Sequence, residues 1–332
     1  MQKKYLYFMV FFASLVTASC TQFDTPGIVK DRRILAIQAS PPELTKATIP
    51  VSGMVTMTAL VVEPGMQFTT LNYAWGYCQI APAAGPNPAG GGGGGPAGGG
   101  STTTSRCDAT QYRLVASGAS TAVQLPLSQA IALNDPEPAK LVELLNNGST
   151  APAPEIRVQL KVGDGVNELF AVKKIAVSTT NLTPNHNPSL SEIDIDGAVS
   201  LPAMTWTYGS CNVDKRVTAT DGNGNTVSVC THYIAPVVLA ADMEDYTEFN
   251  RITGTLDPRK ERYEFSWYAD AGTLKAETTT QPDPRLSRPY TEGVATEWRE
   301  PTTLPAAAVN IWLVVRDGRG GVVWAQRQIT LQ

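Results

Sequence analysis

The chain has 332 residues, 42% of them hydrophobic, which is enough for packed cores in two domains of ordinary size. Its 26 basic and 30 acidic residues give a net charge of −4. The charges are scattered, without the concentrated basic face that a nucleic-acid partner requires.

Lys3 and Lys4 open the chain, an apolar stretch follows from Tyr5 to Val16, and the small residues Thr17, Ala18 and Ser19 stand directly before Cys20. Basic, apolar and small segments in that order read as a secretory signal peptide. The apolar stretch is too short to cross a hydrocarbon core of roughly 30 Å. No later apolar run approaches the ~18 residues of a membrane helix. A cysteine closing this series resembles the lipobox of bacterial lipoproteins, with Thr17 where Leu is usual. The resemblance implies that residues 1–19 are removed and that the Cys20 thiol carries a palmitate-type lipid. Residues 20–33, with Pro26 and Gly27, would then be the lipid anchor and a polar tether. Plain secretion, with cleavage near Ala18 or Ser19, is the alternative. Thr21 is not the Asp that commonly marks inner-membrane retention, which points to the outer membrane, on its periplasmic or surface face. Loss of Lys3 and Lys4 leaves 24 basic against 30 acidic residues, a mature charge near −6.

Strand patterns dominate from residue 34. The segment 34–39 ends at Pro41 and Pro42, which break a ladder, and a second strand covers 55–62. Leu71, Tyr73, Trp75 and Tyr77 alternate onto one face. Residues 82–105 are low in complexity, with six consecutive glycines from Gly90 to Gly95. The entropy cost of ordering glycine predicts a flexible loop there. A phosphate-binding loop would need the Gly-Lys-Ser/Thr ending that is missing. Residues 138–147 predict one short helix, with Leu141, Leu144 and Leu145 on one side and Gly148 at the C-terminal cap. Ile156, Val158, Leu160 and Val162 then alternate inward, with Arg157, Gln159 and Lys161 outward. Gly163-Asp164-Gly165 turns the chain into a partner strand over 169–177.

The turn-rich segment 183–188 reads as a linker. Beyond it come strands at 190–195, 217–220 and 226–229. Tyr263, Phe265 and Trp267 share one face, and a final hairpin spans 309–315 and 322–331. Ile156, Val158, Leu160, Val162, Asp164 and Gly165 match Val309, Ile311, Leu313, Val315, Asp317 and Gly318 at a constant offset of 153. Each hairpin follows an aromatic strand with a central tryptophan. Two copies of one domain are therefore expected, over 34–182 and 189–332, the first carrying the glycine-rich loop and the helix as insertions.

The repeated unit resembles the immunoglobulin-like and PKD-like sandwiches of bacterial surface proteins, with a buried tryptophan on a central strand and a closing hairpin. Ser266-Trp-Tyr-Ala-Asp-Ala-Gly272 departs from the PKD signature. The whole chain resembles uncharacterised Gram-negative lipoproteins of this build. The expected fold is therefore all-β, two immunoglobulin-like β-sandwich domains in tandem. The resemblance implies a membrane-anchored envelope protein with a structural or partner-binding, non-catalytic role. A protein or glycan partner is expected, and no cofactor. The alternative is a glycan-binding or glycan-processing protein.

Four cysteines remain beyond Cys20. An even number in an exported chain reads as disulfides. Of three possible pairings, Cys78–Cys107 and Cys211–Cys230 stay within single domains, while the others would staple the domains together. A zinc site lacks C-x-x-C spacing, and His186 and His232 are the chain's two histidines. No Gly-x-Ser-x-Gly supports a serine hydrolase, which leaves His232 structural. Asp242, Glu244 and Asp245 are candidates for a glycosidase carboxylate pair, or for a solvated loop. Asp221, Asn223 and Asn225 match the first half of an EF-hand calcium loop, but Thr226 and His232 stand where Gly and Glu belong. A hairpin turn fits the segment better, and no metal is expected. Trp298, Trp312 and Trp324 are either an exposed aromatic platform for sugar or core residues, with core packing favoured.

If the glycine-rich segment makes no native contacts, deleting residues 86–100 leaves the melting temperature nearly unchanged. Loop-length entropy changes by only about 0.6 kcal/mol per doubling. Thermal unfolding of the deletion variant checks this, and a loss well beyond about 1 kcal/mol contradicts it.

Overall fold

The computed structural model describes residues 26–45, 54–64, 70–78, 107, 112–127, 155–178, 185–197, 203–238, 243–250, 253, 255–282 and 293–332. The expected signal peptide, Cys20, the glycine-rich segment 82–105 and the expected helix at 138–147 lie outside the described residues.

The first sandwich contains β1 (Arg33–Ser40), β2 (Glu43–Thr45), β3 (Met54–Val62), β4 (Asn72–Cys78), β5 (Tyr112–Gly118), β6 (Ala122–Pro126), β7 (Glu155–Gly163) and β8 (Glu168–Ser178). One sheet runs β1-β3-β6 and the facing sheet β2-β8-β7-β4-β5. The second sandwich begins with β9 (Leu190–Ile195), β10 (Ala203–Trp206), β11 (Arg216–Thr220) and β12 (Thr226–Val238). A separate two-stranded arm, β13 (Asp245–Asn250) and β14 (Thr255–Lys260), comes next. The sandwich is completed by β15 (Glu264–Ala269), β16 (Thr273–Leu274), β17 (Thr278–Thr280), β18 (Thr296–Arg299), β19 (Val309–Arg316) and β20 (Val322–Leu331). Its sheets run β10-β20-β19-β15-β17 and β11-β12-β18-β16, with β9 also paired to β12.

The internal repeat is a repeat of topology and register. Trp75 faces Leu160, and Leu160 faces Ala171. Trp267 faces Leu313, and Leu313 faces Ala325. In each copy a short strand runs parallel to the last strand, β2 on β8 and β10 on β20. A central tryptophan strand beside the closing hairpin, packed on a second antiparallel sheet, is the arrangement of an immunoglobulin-like sandwich. The all-β expectation holds for the described residues. Sequence reading did not separate β2, β5, β6, the arm β13–β14 or β16–β18. Most of these strands are short, and β5 is largely exposed, so they carry little period-2 signal.

Each sandwich has its own core. Trp75, Tyr77, Leu160, Val162 and Leu125 are buried in the first, and Trp267, Phe265, Trp298, Leu313 and Ile234 in the second. A third apolar cluster joins them. It combines Leu35, Ala36, Leu60 and Val62 of the first sandwich with Trp312, Val314 and Val322 of the second, and Val29 of the N-terminal segment. Strand β19 explains this cluster. Its residues Val309 to Val315 are all buried, so it is covered on both faces. Val309, Ile311, Leu313 and Val315 point into their own core, and Trp312 and Val314 point at the first sandwich.

Two segments expected to be loose connections are packed. Residues 26–33, read as tether, lie on the second sandwich. Val29 N–H donates to Ala269 O at 2.8 Å, and Ala269 N–H donates to Gly27 O at 2.9 Å. Arg32 then pairs with Glu63 and Asp164 of the first sandwich. In the expected linker 183–188, Asn185 is 1% exposed. Asn187 donates to Ala39 O and accepts from Val322 N–H. The Asn187 side-chain amide thus bonds to both sandwiches, which fixes the connection.

Because the sandwiches share a core, calorimetry of the whole chain should show one cooperative unfolding transition. Trp312→Ala, which truncates a wholly buried side chain, should cost about 3–5 kcal/mol and separate the transition into two. Two transitions in the unmodified protein would contradict the shared core.

Candidate functional site

The junction between the sandwiches is built around the last hairpin turn, Asp317-Gly-Arg-Gly-Gly321. Asp317 Oδ1 accepts from the backbone N–H groups of Arg319 at 2.7 Å and Gly321 at 2.9 Å. Gly318 and Gly320 have φ of 81° and 114°, which a side chain would strain. A Cβ at Gly321 would collide with the Asp317 carboxylate and His186 O. The equivalent turn of the first copy uses the same device, with Asp164 Oδ1 accepting from Val166 and Asn167 N–H, both at 2.9 Å. Those donors, together with Arg32, hold the Asp164 carboxyl well below the usual range.

The turn aims Arg319 into a buried cluster of carboxylates. Its Nη1 donates to Glu244 and Glu261 at 3.0 Å each, and its Nη2 donates to Glu43 at 2.7 Å. The guanidinium also lies 4.6 Å from the ring centre of Tyr246 at the root of the β13–β14 arm. Glu43 comes from β2 of the first sandwich and accepts from Asn185 N–H, while Asn185 Nδ2 donates to Asp317. His186 Nδ1 meets Glu244 Oε1 at 2.5 Å. One arginine therefore joins the first sandwich, the connecting segment, the arm and the final hairpin. Burial pushes the Glu261 carboxyl up to about 7, against the lowering effect of Glu244 N–H and Arg319. Burial also lowers Lys173 to about 8, where its Nζ donates to Gly320 O at 2.5 Å.

Elsewhere along the junction the sandwiches line a groove of about 810 Å³ with Arg32, Arg33, Phe170, Tyr268, Glu277 and Arg316, among others. Its guanidinium groups are engaged. Arg33 donates to Pro26 O, and Arg316 donates to Ser266 Oγ and to Leu35 O across the junction.

Most of the residues singled out in the sequence fall elsewhere. Cys78 is bonded to Cys107 and Cys211 to Cys230, with Cα separations of 5.7 and 6.0 Å. Cys107 N–H donates to Gln159 Oε1 at 2.5 Å, so Gln159, expected to face water, is covered and 3% exposed. Asp221, Asn223 and Asn225 form the β11–β12 hairpin turn. Asp221 Oδ1 accepts from Asn223 and Asn225 N–H, and Oδ2 accepts from Asn225 Nδ2. The turn's own donors thus occupy the carboxylate proposed for calcium. Of the carboxylate candidates, Glu244 belongs to the Arg319 cluster, Asp245 is paired with Lys260 at the surface, and Asp242 lies outside the described residues. Trp298 is a core residue, Trp312 lies in the shared cluster and Trp324 packs against that cluster, so they form no exposed platform.

Sequence reading missed Arg319, Glu43, Glu261, Asn185 and Tyr246. The one local signal was an arginine set between glycines in a turn that a surface hairpin does not need. The remaining residues meet it only through tertiary contacts.

No protein-family model matches the chain, and no characterised protein matches it in sequence. Solved structures that align along its length include the following three. A chimeric titin Z1Z2 functionalised with a decorin peptide is 8% identical, covering 92% of this chain and 98% of its own, with a TM-score of 0.19. Escherichia coli alpha-2-macroglobulin activated by porcine elastase is 11% identical over 93% of this chain, which spans 22% of its length, with a TM-score of 0.22. Dpr2 Ig1-Ig2, from a complex with DIP-Theta Ig1-Ig3, is 7% identical over 91% of this chain and 100% of its own, at 0.18. At TM-scores this low the likenesses carry no weight, and the fold stands on strand order and register.

The raised Glu261 carboxyl gives stability a pH slope. Between its ordinary value of 4.5 and about 7 the folded state holds a proton that the unfolded chain has released. Stability from this group therefore falls as pH rises through that window. Denaturant melts of the wild type and Glu261→Gln should differ in this respect, the Gln variant losing the downward slope between about pH 4.5 and 7. An unchanged slope in the variant would show that Glu261 ionises freely.

Proposed function

We propose that the chain is a lipid-anchored envelope protein of the bacterial outer membrane, with a structural or partner-binding role and no catalysis of its own. The observation that carries this reading is how the large aromatic and acidic side chains are used. Trp75, Trp267, Trp298 and Trp312 are wholly buried, and the carboxylates Glu43, Glu244 and Glu261 are tied to Arg319. A glycan-processing site needs carboxylates free to exchange protons and aromatic faces open to sugar. Glycan processing is the weaker reading for that reason. Recognition of a protein or glycan partner then falls to surface strands and loops, which a rigid scaffold positions.

The N-terminal segment supports the anchoring half of the proposal. Gly27 is fixed to Ala269 seven residues after Cys20. Fully extended, that span reaches at most about 25 Å. A lipid on Cys20 would hold the molecule close to the bilayer by its domain junction. A single acyl chain binds membranes only marginally, so stable anchoring calls for the several chains of a lipoprotein-type modification. Cys20→Ala should move the protein from the membrane to the soluble fraction and abolish incorporation of labelled fatty acid. Retention of the variant on membranes after a high-salt wash would rule out the lipid as the anchor.

A further inference from the structure

His232 is an odd residue to find in this core. It is 6% exposed and lies between two indole rings, Trp206 at 4.3 Å and Trp298 at 5.5 Å between ring centres. Asp196 Oδ2 sits 2.8 Å from its Nδ1. With Nδ1–H donated to that carboxylate, Nε2 presents its lone pair on the other side. There it faces Glu300 Oε1 at 3.4 Å, a carboxylate 2% exposed. Two acceptors facing each other in a dry site need a positive species between them: a second proton on the imidazole, or a cation.

The third wall of the gap is sulfur. Cys230 and His232 lie two residues apart on β12 and point the same way. The Cys230 sulfur, His232 nitrogen and Glu300 oxygen all lie within 4.8 Å of one another. The sulfur is bonded to that of Cys211, so reduction would free a second thiol next to this group. A carboxylate behind a ligating histidine is the usual outer support of a zinc site, fixing tautomer and ring orientation, and Asp196 is in that position. Glu300 is likewise oriented, its Oε2 accepting from Cys230 and Gly209 N–H at 3.0 Å each.

We infer that Cys211, Cys230, His232 and Glu300 form a latent tetrahedral site for zinc, masked by the disulfide and opened by its reduction. The donor set of two sulfurs, one imidazole and one carboxylate suits Zn²⁺. The chemistry balances with a thiol reductant. Two electrons and two protons from a dithiol convert the disulfide to two thiols, and the reductant leaves as its own disulfide. Zinc then displaces one proton from each thiol and binds the thiolates. Cys78 and Cys107 have no histidine beside them among the described residues, so the second disulfide serves as a control within the same chain. This inference is independent of the lipid anchor.

The test uses the full-length chain, reduced with a phosphine, and zinc or cobalt(II) as the probe. One equivalent of cobalt should bind with the absorption of a four-coordinate thiolate complex, and the oxidised chain should take up none. Zinc should remove Cys211 and Cys230 from the pool labelled by iodoacetamide while leaving Cys78 and Cys107 reactive. Asp196→Asn, which spares all four ligands, should weaken zinc by about 10–100-fold. Equal labelling of both cysteine pairs with zinc present, or undiminished affinity in His232→Gln, overturns the site. If reduction unfolds the second sandwich, zinc must restore its circular dichroism, and failure to do so overturns the site as well.

Discussion

One strand with two apolar faces organises this molecule. β19 cannot leave Trp312 and Val314 in water, so the face of the second sandwich that would otherwise be its surface has to be covered. Burying side chains of that size contributes roughly 1.5–3 kcal/mol each. The first sandwich supplies the cover through Leu35, Ala36, Leu60 and Val62. Once the faces are docked, the polar groups around them need partners too, and Arg319, Asn185, Asn187 and Arg316 bridge the seam.

The Arg319 cluster follows from that docking. Bringing Glu43 against Glu244 and Glu261 buries two carboxylates and half-buries a third, and one guanidinium bonds to all of them. Removing one partner from such a buried group typically costs 3–5 kcal/mol, because a charge is left without compensation. The burden shows in Glu261, which burial makes reluctant to ionise. The two copies of the hairpin turn have diverged around a common frame. Asp164 and Asp317 both hold their own turns. The first also recruits Arg32 of the N-terminal segment, and the second recruits Asn185 and positions Arg319. The same turn chemistry thus serves in both copies as a binding post for neighbouring segments.

Much of the fold was legible in the chain. Ile156, Val158, Leu160 and Val162 alternate with polar residues, and the structure buries them as that period requires. Their match to Val309, Ile311, Leu313 and Val315 announced the repeat. One difference between the copies was also present. Where β7 carries Arg157, Gln159 and Lys161, β19 carries Asn310, Trp312 and Val314, the mark of a strand covered on both faces. How the connecting segment packs was not legible locally. Asn185 and Asn187 look like turn residues, and their side chains are instead spent satisfying backbone and carboxylate groups of two domains. The Arg319 cluster and the pairing of His232 with Glu300 join residues far apart in sequence, and the local pattern marks at most Arg319 itself.

The shared core requires the sandwiches to form one body. Residual dipolar couplings of backbone amides in the weakly aligned protein test this directly. Couplings from 33–178 and from 190–332 should fit a single alignment tensor, with the relative orientation seen here. Two distinct tensors would mean that the sandwiches move independently, and the shared core around Trp312 would then be wrong.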